Sequence, residues 1–331
     1  MARRFTFQGH ASVTSTNELV KQAIEQGEPE GLVVFSHEQT SGYGRQGRTW
    51  SSPLGGSYES FLLRPDVDPQ RIPTIALVAG LAVRRALCGV IGCIGADGED
   101  EGADAADRRN AATTAGAQVG VPGAQAATGT AEQDAAAAHG AYAATADAPL
   151  AGADAASDGM SGDGCLVQLK WPNDVVCAAG KLAGISSEVH AGAVCVGIGV
   201  NVFAPEQPYD VGGKNVPAYL VDLIGDDRMP RYACASRGLT ASQAACIERV
   251  ARAVADAFET CYDQWLEQGL APFADELRRV SSLDGKQVRV ATRTGEALAE
   301  GTVSGIDDHG RLLVRTADGI VPVSSGEAHL L

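Results

Sequence analysis

Between residues 95 and 164 the chain stops supplying material for a core. Ala, Gly, Asp and Thr dominate, Tyr142 is the one aromatic residue, and large aliphatic side chains are scattered. Such a stretch cannot bury enough apolar surface to offset the entropy of ordering it. It reads as a disordered, acidic insertion in a surface loop, a tolerated spacer between a helix and a strand. Whatever globular unit this chain of 331 residues forms must therefore be assembled from both sides of the interruption. The insertion also distorts the charge. It carries twelve acidic residues against two arginines, a net −10 of the total −15, which leaves −5 for the rest. Neither value suits a protein that holds nucleic acid on a broad basic surface.

Upstream of the insertion, Ser15 and Glu18 fit a capping box ahead of a helical pattern through Leu19, Val20, Ala23 and Ile24. The same polar residues at a helix start could instead face a ligand. A short apolar strand at 32–35 then delivers the chain to HEQTSGYGRQGRTWSSP, residues 37–53. This loop sets Gly42, Gly44 and Gly47 around Arg45 and Arg48 and leads to Trp50. Glycines let backbone amides turn toward an anion, and arginine grips phosphate or carboxylate with two donors at once. Trp50 adds a flat apolar face suited to an adenine ring. The loop fits a nucleotide, a carboxylate or both; the alternative is a mobile hairpin tip with solvated arginines. A strand within 55–65, entered through a Gly-Gly turn, stopped by Pro65 and with Ser57 and Glu59 among its apolar residues, and an amphipathic helix over 71–87 follow. Glu59 is expected at an edge or toward solvent.

Downstream, LVQLKWPND puts Val167 and Leu169 on one strand face and Gln168 and Lys170 on the other. Pro172 ends that ladder just beyond Lys170. A hairpin around Ala191-Gly192 has a second strand with Gly197, Gly199 and Asn201 on one face and Ile198, Val200 and Val202 on the other. Alternate glycines weaken a strand, so either a ligand or a packed side chain must approach the sheet there. A long helix over 241–266 and a short one over 271–280 complete this part. The last fifty residues carry strands at 288–291, 301–306, 312–315 and 319–323 between tight turns, the pattern of a small antiparallel barrel.

Eight cysteines, at 88, 93, 165, 177, 195, 234, 246 and 261, form no C-x-x-C pair and no zinc-spaced set with histidine. They read as reduced, mostly buried thiols, which favours a cytoplasmic location. The six histidines gather no acid partners, so no metal site is assigned. MARRFTF lacks the apolar core of a signal peptide, and no stretch is expected to match a membrane span.

Four stretches in order, TSTN at 14–17, QTSGYGRQGRTW at 39–50, KWPND at 170–174 with GKLAGI at 180–185, and GIGVN at 197–201, resemble the biotin–protein ligases, in the form without an N-terminal DNA-binding domain. The resemblance spans nearly the whole chain apart from the insertion. It implies an α+β fold: a mixed-sheet catalytic core flanked by helices, of class II synthetase-like (biotin ligase) type, with a C-terminal SH3-like β-barrel. The domains implied are 1–280, interrupted at 95–164, and 281–331. The residues matching the biotin pocket are Ser15, Thr16, Asn17 and Gln39, with Tyr43, Gly44 and Arg45 along the biotin tail. Lys170 matches a contact to the biotin carboxylate and the phosphoryl group. Arg45, Arg48, Trp50, Lys170, Asn173 and Asn201 match the ATP/AMP side, and Lys170, Arg45 and Arg48 would serve catalysis.

The chemistry this implies joins two anions. A biotin carboxylate attacks the α-phosphate of ATP, with Mg2+ on the triphosphate, and the biotinyl-5′-AMP formed passes biotin to a lysine of a biotin carboxyl carrier domain. Cations aimed at the developing charge and a loop that excludes water are what such a reaction needs. The chain departs from the family where its loop usually reads G-R-G-R-x-G-R, since Tyr43 replaces the first arginine. Lipoate or octanoate ligation on the same fold and a biotin-responsive regulator are the alternatives. Only fourteen residues precede Ser15, too few for a helix-turn-helix, so no DNA binding is expected. No membrane partner is expected either, and exposed sheet edges leave room for a homodimer.

Overall fold

Strands from both sides of the insertion join into one sheet. The computed structural model describes residues 4–47, 50–99, 166–206, 216–224, 231–233 and 236–331. Seven strands form the main sheet: β1 (Thr6–His10), β2 (Leu32–Ser36), β3 (Gly56–Leu63), β4 (Gln168–Lys170), β5 (Asp174–Cys177), β6 (Gly180–His190) and β7 (Ala193–Asn201). Their order is β1-β2-β3-β7-β6-β5-β4. The β1–β2 pair is parallel and the others are antiparallel, so the sheet is mixed. The weld across the insertion is β3 against β7, in register from Gly56↔Asn201 to Leu63↔Val194.

Because side chains alternate, that register sorts the sheet into two faces. On one face, α1 (Thr16–Glu25) buries Val20, Ala23 and Ile24 against Val34, Leu62 and Cys195. The other face packs under α2 (Ile75–Glu99) and α4 (Ala241–Gln268), which also pack on each other. Phe61 of β3 meets Phe258 of α4 edge-on at 5.1 Å between ring centroids. α4 starts at a complete capping box, with Thr240 and Gln243 bonded reciprocally. Between β7 and α4 lie β8 (Ala204–Pro205), α3 (Leu220–Ile224) and β9 (Tyr232–Ala233).

α2 differs from the expectation at both ends. A 3-10 turn, Pro69–Thr74, precedes it, with the Asp68 carboxylate accepting from the Gln70 amide. At its far end the helix runs through the start of the low-complexity stretch to Glu99, so residues 95–99 are helical. The expected disorder over 100–164 lies outside the described residues. By length and composition Pro69–Gly92 would be long and apolar enough to cross a membrane, contrary to the sequence expectation. Its apolar residues from Ile75 to Val90 are buried in the shared core, which accounts for that composition. Cys88 is disulfide-bonded, a second correction, since all eight thiols were expected reduced; Cys177, Cys195, Cys246 and Cys261 are free.

After α5 (Ala274–Val280) come β10 (Gln287–Ala291), β11 (Ala297–Ile306), β12 (Leu312–Thr316), β13 (Gly319–Val323) and β14 (Glu327–Leu330). They form an antiparallel sheet in the order β13-β12-β11-β10-β14, consistent with an SH3-like barrel. Trp171 fastens it to the main sheet by donating its indole N–H to the Gly310 carbonyl at 3.0 Å.

Candidate active site

The cleft grows out of the glycine row. Gly199 pairs with Gly184 on β6, and Gly197 with Ser186, so the row continues across two strands on the face shared with α1. The space above it is taken by side chains rather than left open. A Cβ on Gly197 would stand 2.3 Å from Asn17 Oδ1, and one on Gly199 would stand 2.9 Å from Trp50 Nε1. Side chains do approach this floor closely, as one of the two sequence readings has it. The Trp50 indole N–H is buried over it with no hydrogen-bond partner among the described residues.

The first turn of α1 closes one end. Thr16 donates from its amide and its hydroxyl to Gln39 Oε1, at 2.9 and 3.0 Å. Gln39 Nε2 donates to Ser52 Oγ at 2.8 Å. Asn17 Nδ2 donates to Ser186 Oγ at 3.2 Å, and Ser60 Oγ lies 2.6 Å from Asn17 Oδ1. The polar groups at the helix start are thus held by the strands and by the loop. The capping box expected here is absent: Ser15 stands at the N-cap, but its side chain makes no cap bond. Glu18, its supposed partner, accepts from Tyr43 and Lys21 instead.

Cations occupy the other end. Arg45 donates to Asn173 Oδ1 at 3.1 Å, and Asn173 Nδ2 is fixed by the Ile185 carbonyl at 2.6 Å. Lys181 pairs with Asp174 at 2.6 Å while its ammonium lies 4.6 Å from the Trp50 ring centroid. Asn201 Nδ2 donates to the Lys181 carbonyl at 3.0 Å. Lys170, at the end of β4, has no hydrogen-bond or ion-pair partner among the described residues. Among the described residues, the cluster therefore combines two committed cations with one uncommitted one.

Together these residues line a single cleft of about 1040 Å³. Thr16, Asn17, Gln39, Tyr43, Gly44, Arg45, Trp50, Lys170, Asn173 and Asn201 all reach it. Ser15 is buried and lies outside the lining. Arg48 lies outside the described residues. Sequence reasoning misses Ser186 and Ser60, although a polar residue paired with Gly197 in each flanking strand was a usable signal. It also misses the barrel's share of the wall, Thr292–Thr294 and residues 325–329, for which the sequence carries no local sign.

Glu59 is the largest departure. Expected at an edge or toward solvent, it is fully buried. Its pairing with Ile198 and Phe35 puts its side chain on the face under the helices. Burial holds its carboxyl well above the usual range, opposed by a 2.8 Å bond from Ser57 Oγ to Oε1, while Oε2 has no partner among the described residues. Such a carboxyl is kept as the neutral acid.

Residues 9–114 match the family model described as the biotin/lipoate A/B protein ligase family, and residues 285–331 match the biotin protein ligase C terminal domain. The chain is 25% identical over 332 residues to the bifunctional ligase/repressor BirA of Bacillus subtilis (strain 168), covering 97% of this chain and 73% of that protein. It is 33% identical over 159 residues to the biotin–[acetyl-CoA-carboxylase] ligase of Mycobacterium tuberculosis, covering 48% of this chain and 51% of that one. In fold it resembles the biotin protein ligase from Aquifex aeolicus in complex with biotin and ATP, with a TM-score of 0.61 and 22% identity over 98% of each chain.

Proposed function

We propose, from the matches of residues 9–114 to the biotin/lipoate A/B protein ligase family and of residues 285–331 to the biotin protein ligase C terminal domain, that this chain is an ATP-dependent ligase that joins biotin to a lysine of a biotin carboxyl carrier domain. The observation that carries the reading is the Lys170 ammonium, without a partner among the described residues, in a cleft where a glycine floor meets Arg45 and Lys181. A flat apolar acid can lie on such a floor, with its carboxylate reaching the cations.

Biotin would lie over Gly199, its polar edge toward Thr16, Asn17 and Gln39. Trp50 must shift or slide over it, bringing its unpartnered indole N–H to the ligand. A carboxylate oxygen then attacks the α-phosphorus. The new O–P bond forms as the bond to pyrophosphate breaks, and pyrophosphate leaves with the electron pair. Lys170 and Arg45 stabilise the charge that builds on the phosphoryl oxygens. In the second step the carrier amine attacks the acyl carbon, AMP leaves with its electrons, and the amine gives up a proton. Magnesium would enter on the triphosphate oxygens. Among the described residues no three His, Cys, Asp or Glu gather to hold it.

No enzyme nucleophile is needed, and the buried thiols suit none. Burial pushes the thiols of Cys195 and Cys246 up and that of Cys261 up to about 11, far from the thiolate a nucleophile requires. The test is transfer itself. Incubated with biotin, ATP and a carrier domain, the protein should add one biotin mass to one carrier lysine. An unmodified carrier would contradict the proposal.

A further inference from the structure

The position where the loop departs from its family pattern is not idle. Tyr43 donates its hydroxyl to Glu18 Oε1 at 2.6 Å and accepts from Lys21 Nζ at 2.7 Å, with that ammonium 5.0 Å from the tyrosine ring centroid. Lys21 in turn pairs with Glu188 of β6 at 2.6 Å. The hydroxyl thus bridges an acid and a base on α1, and the base is anchored to the main sheet.

The protonation states suit this arrangement. Burial and the bond to Glu18 push the Tyr43 phenol up to about 12, so it remains a donor across the physiological range. The bond from Tyr43 leads the causes that hold Glu18 below its usual range, keeping it a carboxylate. For Lys21 burial opposes the charge, but the bonds to Glu188 and Tyr43 more than offset it and the ammonium is raised.

The rest of the loop is fastened at both ends. On its near side, Thr40 and Ser41 amides donate to the Val13 and Thr14 carbonyls at 2.9 Å each, and Gln39 holds Thr16. On its far side, the Trp50 amide donates to the Gly42 carbonyl at 2.9 Å. What lies between is the tip, with Arg45 against Asn173. α1 therefore carries the cleft residues Thr16 and Asn17 in its first turn and the anchors Glu18 and Lys21 just beyond them.

We infer that Tyr43 is a positioning residue: its hydroxyl, shared between Glu18 and Lys21, latches the glycine-arginine tip to α1 without any ligand and so presets Arg45 over the cleft. This rests on the proposed biotin ligation for its consequence but not for its geometry. The tyrosine thus holds the tip through α1 itself, with the Glu18 carboxylate and the Lys21 ammonium both at its hydroxyl. The consequence is retention. A tip already latched dissociates from a bound acyl-adenylate less readily, because release requires breaking the Tyr43 bonds as well as the ligand's.

The experiment compares the intact protein with Tyr43→Phe and Glu18→Gln. Amide hydrogen exchange of residues 42–47 is followed without ligand, with the amides of α1 and the barrel as internal controls. The expected result is roughly tenfold faster exchange of the tip in Tyr43→Phe, with a smaller change in Glu18→Gln, which keeps an acceptor. The controls should not move. Release of biotinyl-5′-AMP should quicken by a similar factor in Tyr43→Phe while its rate of formation changes less. Tip exchange equal to that of the intact protein would overturn the latch. A latch seen by exchange with no adenylate formed by either protein would instead count against the ligase reading alone.

Discussion

Two faces of one pair of strands do opposite work. On the side under α2 and α4, β3 and β7 present Phe61, Val196, Ile198 and Val200, all essentially inaccessible. On the other side the same strands present Ser60, Gly197, Gly199 and Asn201. The first face is filled with side chains that bury apolar area and stabilise the fold. The second gives up that area so that Asn17 and Trp50 can come down onto the backbone. A residue's face therefore decides whether its loss should cost stability or catalysis.

The sharpest break of the comparison on the core side is Phe61→Ala. It should cost about 3–5 kcal/mol by removing a ring from a closed aromatic cluster. Denaturant unfolding measures it, and the folded fraction should keep its biotin KM. On the cleft side, Lys170→Ala should lower adenylation by about 10²–10³-fold, within the range for losing one donor to developing charge. Its unfolding midpoint should stay near that of the intact protein; near-normal turnover would remove Lys170 from the mechanism. Gly199→Ala sits between. Its added methyl meets Trp50 Nε1, the end of a loop side chain that can give way. Stability should fall by about 1 kcal/mol or less, while biotin KM rises roughly tenfold.

Glu59 breaks the rule of faces from the other direction, as an acid among the core-side residues. Its folded pKa is raised, so the native state holds a proton that the unfolded state loses above the ordinary glutamate range. Stability should accordingly decline as pH rises from that range toward the folded pKa. Glu59→Gln should flatten that decline. Melting profiles from pH 5 to 8 should show its gain over the intact protein growing with pH; a gain independent of pH would place the ionisation elsewhere.

How far the sequence reveals this depends on the range of each interaction. The faces of β7 are legible because alternation is local, and described residues from all four motifs line one cleft. The Ser15–Glu18 box reads correctly as a pattern but does not form: Ser15 makes no cap bond, and Tyr43, outside the local pattern, donates to the carboxylate. Glu59 is misjudged for the same reason, since its burial is decided by helices distant in sequence. Short strands such as β1 and β14 have too few residues to show a period; their partners define them. The low-complexity border at Gly95 is obscured because alanine and its neighbours extend α2 as readily as they end it.

The central claim is that the glycine-floored face serves to activate biotin. Exchange of labelled pyrophosphate into ATP, with biotin, lipoate or octanoate as the acid, tests it most directly. Exchange with biotin should far exceed that with the other two and should be lost in Lys170→Ala. Exchange driven by lipoate or octanoate but not by biotin would contradict it.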